Sequence, residues 1–175
     1  MVSTGISLPH SLHVSRRVST LPVAVEDAWR VVAGAGPGRH WYADAAPFVL
    51  RGALDRAVLG RGRRWPVPDG PLLRAGDRAG FWLVRAAGDR PWGHRLVLEA
   101  AVRAPGTVTL TVLVTGTETS AGSGTQIDLQ VRLDPHGVLG AAYLLADLPA
   151  RETLVALVHH RLSADVVRAA RGSGA

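Results

Sequence analysis

Two segments in the second half of the chain alternate regularly between apolar and polar residues. Between residues 107 and 115, Val and Leu occupy every second position, and Thr fills most of the positions between them. Residues 125–134 alternate in the same way, with Gln, Asp and Arg at the polar positions. Successive side chains of a β-strand point to opposite faces. The pattern therefore predicts an antiparallel sheet with one covered face and one wetter face.

Shorter patterns predict the elements that precede these two strands. Residues 12–20, 77–87 and 94–103 predict three further strands, each bounded by Pro or Gly. Apolar residues at helical spacing predict two short helices after the first strand, at 26–33 and 49–59. The first strand is therefore predicted to be separated from the other strands by both helices.

The hydrophobic period becomes helical from Val138 onward. This period predicts one long helix that ends near Gly172, with Pro149 either kinking the helix or marking a new start. The covered face of a sheet needs a partner, and this helix is the only predicted element long enough to cover it. We therefore predict an α+β domain of the helix-grip kind, a curved antiparallel sheet around a long C-terminal helix. The apolar stripe of that helix consists of Leu154, Val158, Leu162 and Val166.

Composition indicates the class of protein and the extent of the domain. The chain has 175 residues, of which 47% are apolar, and this suits one domain over 12–171 with flexible ends at 1–11 and 172–175. No run approaches the ~20 apolar residues of a membrane helix, and the N-terminus lacks a signal-peptide pattern, so we expect a cytoplasmic protein. The absence of Cys and Lys from the sequence excludes disulfides, thiolate nucleophiles and lysine Schiff bases.

Several short motifs, in a fixed order, resemble those of a known superfamily. They are Gly38–Ala43, Leu50–Arg56, Gly60–Arg64, Gly76-Asp77 with Phe81-Trp82, Pro105-Gly106, Gly124-Thr125, and Asp134–Gly140 with Tyr143 and Pro149. In these motifs the chain resembles the START-like superfamily, also called SRPBCC, which includes polyketide cyclases and lipid-transfer domains. Within it, the chain is similar to a bacterial family whose members occur alone or fused to NAD(P)-binding epimerase-like domains. The resemblance implies the helix-grip (START-like) fold and a cavity between sheet and helix.

The chain departs from the motifs of that family at several positions. Ala101 and Gly80 stand where the family carries acidic residues, and Leu144 stands where it carries Trp. Ala150 and Arg151 stand where it places a His. Most of these changes replace polar groups by apolar ones. The resemblance therefore implies a pocket suited to a more hydrophobic ligand.

Five residues are candidates for acid–base catalysis. His40, Tyr42 and Asp44 bring an imidazole, a phenol and a carboxylate within five residues, although they can equally form a loop that caps the sheet. Glu99 lies within a predicted strand and would have a raised pKa if it faced inward, whereas outward it is an ordinary surface carboxylate. Tyr143, near the start of the last helix, can point its hydroxyl into a cavity or pack in the core.

A second set of residues is predicted to contact the ligand. Arg51 can instead pair with Asp55 on the same helix, and the large aromatic side chains can instead pack in the core. The adjacent His159 and His160 diverge by ~100° on a helix, so we predict no metal site and no cofactor. The predicted ligand contacts are Trp41, Arg51, Arg64, Trp65, Phe81, Trp82 and Leu98.

Together these observations predict a cofactor-independent enzyme that encloses a hydrophobic small molecule. A polyketide or other natural-product intermediate would be held in a reactive conformation for cyclisation, isomerisation or dehydration. The alternative is a non-catalytic carrier or sensor of an apolar ligand. The net charge of +6 is compatible with an anionic partner, but the arginines of 51–64 lack the interleaved aromatics of a nucleic-acid site. We expect no nucleic-acid or membrane partner, and a homodimer through the Thr-rich sheet face remains an alternative.

Overall fold

A computed structural model describes most of the chain. The described residues are 13–35, 40–44, 68, 70–101, 106–119, 122–135 and 137–172, with the backbone alone at 44, 119 and 137–150. None of the helices in this part of the chain combines the length and hydropathy that a transmembrane span requires.

The strands form one antiparallel sheet. Its order is β1-β6-β5-β4-β3-β2, so the first strand lies at one edge beside the last strand. All five pairings are antiparallel. The strands are β1 (Val14–Leu21), β2 (Arg78–Ala79), β3 (Trp82–Arg90), β4 (Gly93–Ala100), β5 (Gly106–Thr119) and β6 (Gly122–Pro135).

The two alternating segments form the long hairpin at the centre of the sheet. Leu110 pairs with Val131 and Val112 pairs with Leu129, so the apolar positions of β5 and β6 share one face. These side chains are buried, and the predicted division into a covered and a wetter face is confirmed for this hairpin. Both strands are 14 residues long: β5 extends four residues past its predicted end, and β6 begins three residues before its predicted start.

The segment predicted as one strand over 77–87 forms two strands instead. Gly80 adopts φ +64°, a left-handed conformation that favours glycine, and it turns the chain between β2 and β3. Ala79 then pairs with Trp82 across a tight hairpin. β3 continues to Arg90, three residues past the predicted end, because a second turn with Gly93 leads directly into β4. A Cβ on Gly93 would lie 2.2 Å from the carbonyl oxygen of Val114, so this turn requires glycine.

The predicted fold class is wrong in its two short helices after the first strand. α1 (Val25–Val32) confirms the first of them, but the next described element is α2, a single turn at Trp41–Asp44. The helix predicted at 49–59 lies outside the described residues. The sequence predicts a loop or the start of a helix at 39–47, and α2 is such a helical turn, held by side-chain bonds to the backbone rather than by an apolar stripe. The six-stranded sheet with its C-terminal helix still resembles a helix-grip fold.

The C-terminal helix α3 runs without interruption from Gly137 to Gly172. Pro149 therefore lies inside one continuous helix and does not begin a new one. The helix packs against β1, β6, α1 and α2. Its buried apolar side chains include Val155, Val158, Leu162 and Val166. The last three belong to the predicted stripe.

The stripe predicts a strong position dependence for leucine truncation on α3. We expect Leu162→Ala to lower the free energy of unfolding by about 2–5 kcal/mol, because Leu162 is fully buried and its loss leaves a cavity. Leu157→Ala on the same helix should change it by about 0.5 kcal/mol or less, since Leu157 is 52% exposed. Urea denaturation compares the two variants, and equal losses would contradict the packing of this helix.

Candidate ligand-binding site

The inner face of β3, β4 and β5 is a continuous aliphatic surface. Val84 pairs with Leu98, and Leu98 pairs with Leu110, so one row of side chains crosses three strands. Leu96 and Val112 form the next row. We call these five residues the apolar floor. Each is at most 1% exposed, and three neighbouring strands span about 10 Å. The predicted ligand contact Leu98 thus lies at the centre of this surface.

Aromatic side chains close one end of the apolar floor. Trp82 is buried and pairs with Ala100 in β4, just beyond the floor. The ring of Phe81 packs against that of Trp82, with 4.6 Å between the ring centroids. The Trp82 indole Nε1 donates a hydrogen bond of 2.7 Å to the carbonyl oxygen of Tyr42. This bond ties α2 to the beginning of β3. The predicted contacts Phe81 and Trp82 therefore lie beside the floor.

The two aromatic side chains of α2 are hydrogen-bonded to the end of α1. The Trp41 Nε1 donates to the carbonyl of Val32 at 3.0 Å, and the Tyr42 hydroxyl donates to the carbonyl of Gly34 at 2.8 Å. Both side chains are buried. Their polar groups therefore tie α2 to the end of α1, which is a structural role.

His40 is the candidate catalytic residue that keeps solvent access at this end. Its side chain is half-buried, and its ring stacks on that of Tyr42 at 5.1 Å with an angle of 6° between the planes. The structure therefore brings together His40, Trp41, Tyr42, Phe81 and Trp82. This group forms a wall beside the floor.

The opposite end of the floor carries a histidine that sequence reasoning missed. The His94 ring stacks on Trp29 of α1 at 4.9 Å. Its Nδ1 lies 2.9 Å from Asp89, and its Nε2 lies 3.1 Å from Glu26. The alternation of β4 could have found it, because His94 precedes Leu96 and Leu98 at a spacing of two. Both nitrogens face carboxylates, so this residue joins α1 to the β3–β4 hairpin.

Glu99 lies on the other face of the sheet. Arg85 Nε and Nη2 contact its two carboxylate oxygens at 2.9 and 2.6 Å, in the fork geometry of a bidentate ion pair. Hydrogen bonds from the Arg85 guanidinium lower the pKa of Glu99; burial opposes this shift, and the charge of Arg85 adds a smaller lowering effect. This placement favours the surface-carboxylate interpretation. The raised pKa of a buried acid catalyst is not available here.

The structure does not describe the side chains of the remaining candidates. Arg51, Arg64 and Trp65 lie outside the described residues, and for Asp44 and Tyr143 the description covers the backbone alone. Within the described ranges, no group of three His, Asp or Glu side chains could hold a metal ion. A separate open depression of about 480 Å³ lies where the start of α1 meets the tip of the β5–β6 hairpin, and no residue of the apolar floor lines it.

Fold and site together define a class of protein, an antiparallel sheet whose apolar inner face is covered and framed by helices. The particular family follows from the sequence profile of DUF2867, described as a protein of unknown function, which matches residues 8–158. Since the match covers most of the chain, the protein belongs to the DUF2867 family. No curated protein matches the chain.

The hydrogen bond between Trp82 and Tyr42 predicts different roles for two tryptophans of the same hairpin. We expect Trp82→Phe to lower the free energy of unfolding by about 1–3 kcal/mol, because the buried Tyr42 carbonyl loses its donor. Trp92→Phe should be nearly neutral, since Trp92 is 50% exposed at the turn. Chemical denaturation followed by circular dichroism measures both, and a neutral Trp82→Phe would show that the bond does not hold α2.

Proposed function

We propose that this domain encloses a small, largely apolar molecule against the apolar floor of β3, β4 and β5. The carrying observation is the floor itself, five aliphatic side chains in register across three strands and withdrawn from solvent. The long helix packs on β1 and β6, the two strands at the opposite edge of the sheet from β2 and β3. The short helix α1 packs on β4 and β5, so it forms part of the cover beneath which a ligand would lie.

The walls of the site suit a ligand with flat or branched apolar groups. The aromatic wall of α2 and β3 bounds one end, and the Trp29–His94 stack bounds the other. A ligand that buries ~250 Å² of apolar surface gains roughly 6 kcal/mol before the entropic cost of binding. We therefore expect dissociation constants in the micromolar range or weaker for generic apolar probes.

We also propose the relationship to START-like domains. Its support is the order of the matched motifs and an arrangement of sheet and helix that resembles a helix-grip fold. Among these motifs, Phe81-Trp82 and His40–Ala43 contribute to the aromatic wall. This relationship supports a carrier or sensor of apolar molecules as readily as an enzyme.

A fluorescent apolar probe tests the proposal through two neighbouring alanines. We expect N-phenyl-1-naphthylamine to bind saturably and Ala100→Leu to weaken binding about tenfold or more, because the added side chain projects beside the floor. Ala101→Leu, at the next and exposed position, should bind like the unmodified protein. Fluorescence titration gives both constants. Absence of saturable binding to the folded protein, or equal constants for the two variants, would reject the site.

Cofactor-independent turnover of a polyketide-like molecule is the second candidate function. The observation that favours it is the half-buried His40 ring stacked on Tyr42 at the aromatic wall, where an imidazole can exchange a proton with a bound molecule. The reaction would be a cyclisation, isomerisation or dehydration. Binding is the better supported function, because Tyr42 already donates to a backbone carbonyl and Glu99 lies on the outer face.

Turnover has its own test in a pair of histidine variants. Candidate polyketide-like substrates are incubated with the protein, and products are sought by mass spectrometry or by a changed chromatographic position. We expect His40→Ala to slow product formation at least tenfold, and His160→Ala, on an exposed position of α3, to leave it unchanged. Tight binding without any product would assign the domain to the carriers or sensors. Equal rates in both variants would remove His40 from the mechanism.

A further inference from the structure

The inner face of β1 differs from the inner faces of the other long strands. On β4, β5 and β6 this face is mainly aliphatic, whereas β1 presents polar side chains to α3. We call the contacts between β1 and α3 the polar seam. Its three bonds join Arg151 Nε to Ser15 Oγ at 2.9 Å, Arg17 Nη2 to Glu152 Oε2 at 2.8 Å, and Ser19 Oγ to Ser163 Oγ at 3.2 Å.

Two of the three bonds of the polar seam, Arg17–Glu152 and Ser19–Ser163, are partly open to water. The side chains of Arg17 and Glu152 are 30% and 24% exposed, and Ser19 and Ser163 are half-buried. Such bonds can be exchanged for bonds to water at little net cost, whereas separating the aliphatic contacts of Val158 and Leu162 exposes apolar surface. The polar seam is therefore the part of the sheet–helix contact that separates most easily.

His159 lies in this part of the seam. It follows Glu152 by seven residues and precedes Ser163 by four, so all three share one side of α3. The ring is half-buried, and among the described residues its buried Nε2 has no hydrogen-bond partner. A proton on Nε2 would therefore have no hydrogen-bond acceptor among the described residues.

The charged groups near His159 act on its pKa in opposite directions. Burial lowers the pKa of His159, and the nearby charges of Arg17 on β1 and His160 on α3 lower it further. Asp128 and a hydrogen bond with the backbone of Ile127, both on β6, oppose this effect. Glu152, which faces the same side of the helix, is already paired with Arg17. A proton on His159 would thus add a buried positive charge beside an arginine.

We infer that His159 and the bonds around it form a proton-sensitive latch between the edge strand β1 and the C-terminal helix. In the closed state the imidazole is neutral and packed against β1 and β6. Protonation favours a state in which β1 and α3 separate along the polar seam and water reaches the imidazole. This inference is independent of the proposed ligand, because it concerns only contacts within the chain.

The absence of cysteine from the chain allows a direct measurement of latch opening. In Ser163→Cys the single thiol lies inside the seam, and in Leu157→Cys it lies on an exposed position of the same helix. The labelling rate of the first variant by 4,4′-dithiodipyridine is divided by that of the second at each pH. This ratio removes most of the effect of thiol ionisation and leaves the accessibility of the seam.

We expect the ratio to rise by up to about tenfold between about pH 7.5 and pH 5.5. An open-state histidine that titrates near 6.5 gains a proton over this range, and the closed seam excludes it. Adding His159→Gln should make the ratio independent of pH, and adding His160→Gln should retain most of the rise. A ratio that does not change with pH, or that changes equally in both histidine backgrounds, would overturn the latch.

A crosslink across the seam provides a second measurement. The 3.2 Å between the Ser19 and Ser163 hydroxyl oxygens favours a disulfide in the Ser19→Cys/Ser163→Cys variant. The folded-state pKa of His159 is lowered, so its contribution to stability is complete above about pH 6.5 and is lost as the pH falls. We expect seam amides to lose protection at low pH in the reduced form but not in the oxidised form. Identical hydrogen exchange in both forms would contradict the inference.

Discussion

The pairing of β5 with β6 is the interaction on which the rest of the structure depends. Both strands are 14 residues long, and their register brings the aliphatic side chains of both onto one face. β6 also pairs with β1, and β5 with β4, so the hairpin joins the N-terminal strand to the β2–β4 meander. Because side chains alternate between faces, a slip of one residue in this register would expose the aliphatic set to water. The helix α3 packs on β6, and its position therefore follows from the same register.

The inner face of the sheet is divided into two chemically different halves. The apolar floor on β3, β4 and β5 has only aliphatic side chains, and its partners gain free energy by excluding water. The polar seam on β1 holds the helix with hydrogen bonds and an ion pair, which exchange with water at much lower cost. The proposed ligand site lies on the aliphatic half, and the inferred latch lies on the polar half.

The sequence predicts the site unevenly, for reasons that differ from residue to residue. Leu98 and Trp82 are predicted ligand contacts, but the sequence leaves open which face of their strands is the inner one, because alternation alone does not say which of the two faces is covered. His94 was available from the same alternation, but its meaning depends on Glu26 and Trp29, which are distant in sequence. Glu99 could not be assigned to a face from its strand alone, since a carboxylate in the middle of a strand can face either way. Its pairing with Arg85 is seen only in the structure. The roles of the aromatic residues of α2 could not be predicted from hydrophobic periodicity, because these residues are held by hydrogen bonds to backbone carbonyls.

By itself the sequence determined the antiparallel strands, the aliphatic face of the central hairpin, the helical stripe at the C-terminus, and membership of the DUF2867 family. These properties are local, because periodicity and motif order are written along one stretch of chain. The tertiary structure decided that β1 returns to pair with β6, and that His94, Asp89 and Glu26 converge. It also decided that His159 lies within the electrostatic reach of Arg17. Such contacts join residues that are far apart in the chain, and their geometry depends on register and packing rather than on residue type alone.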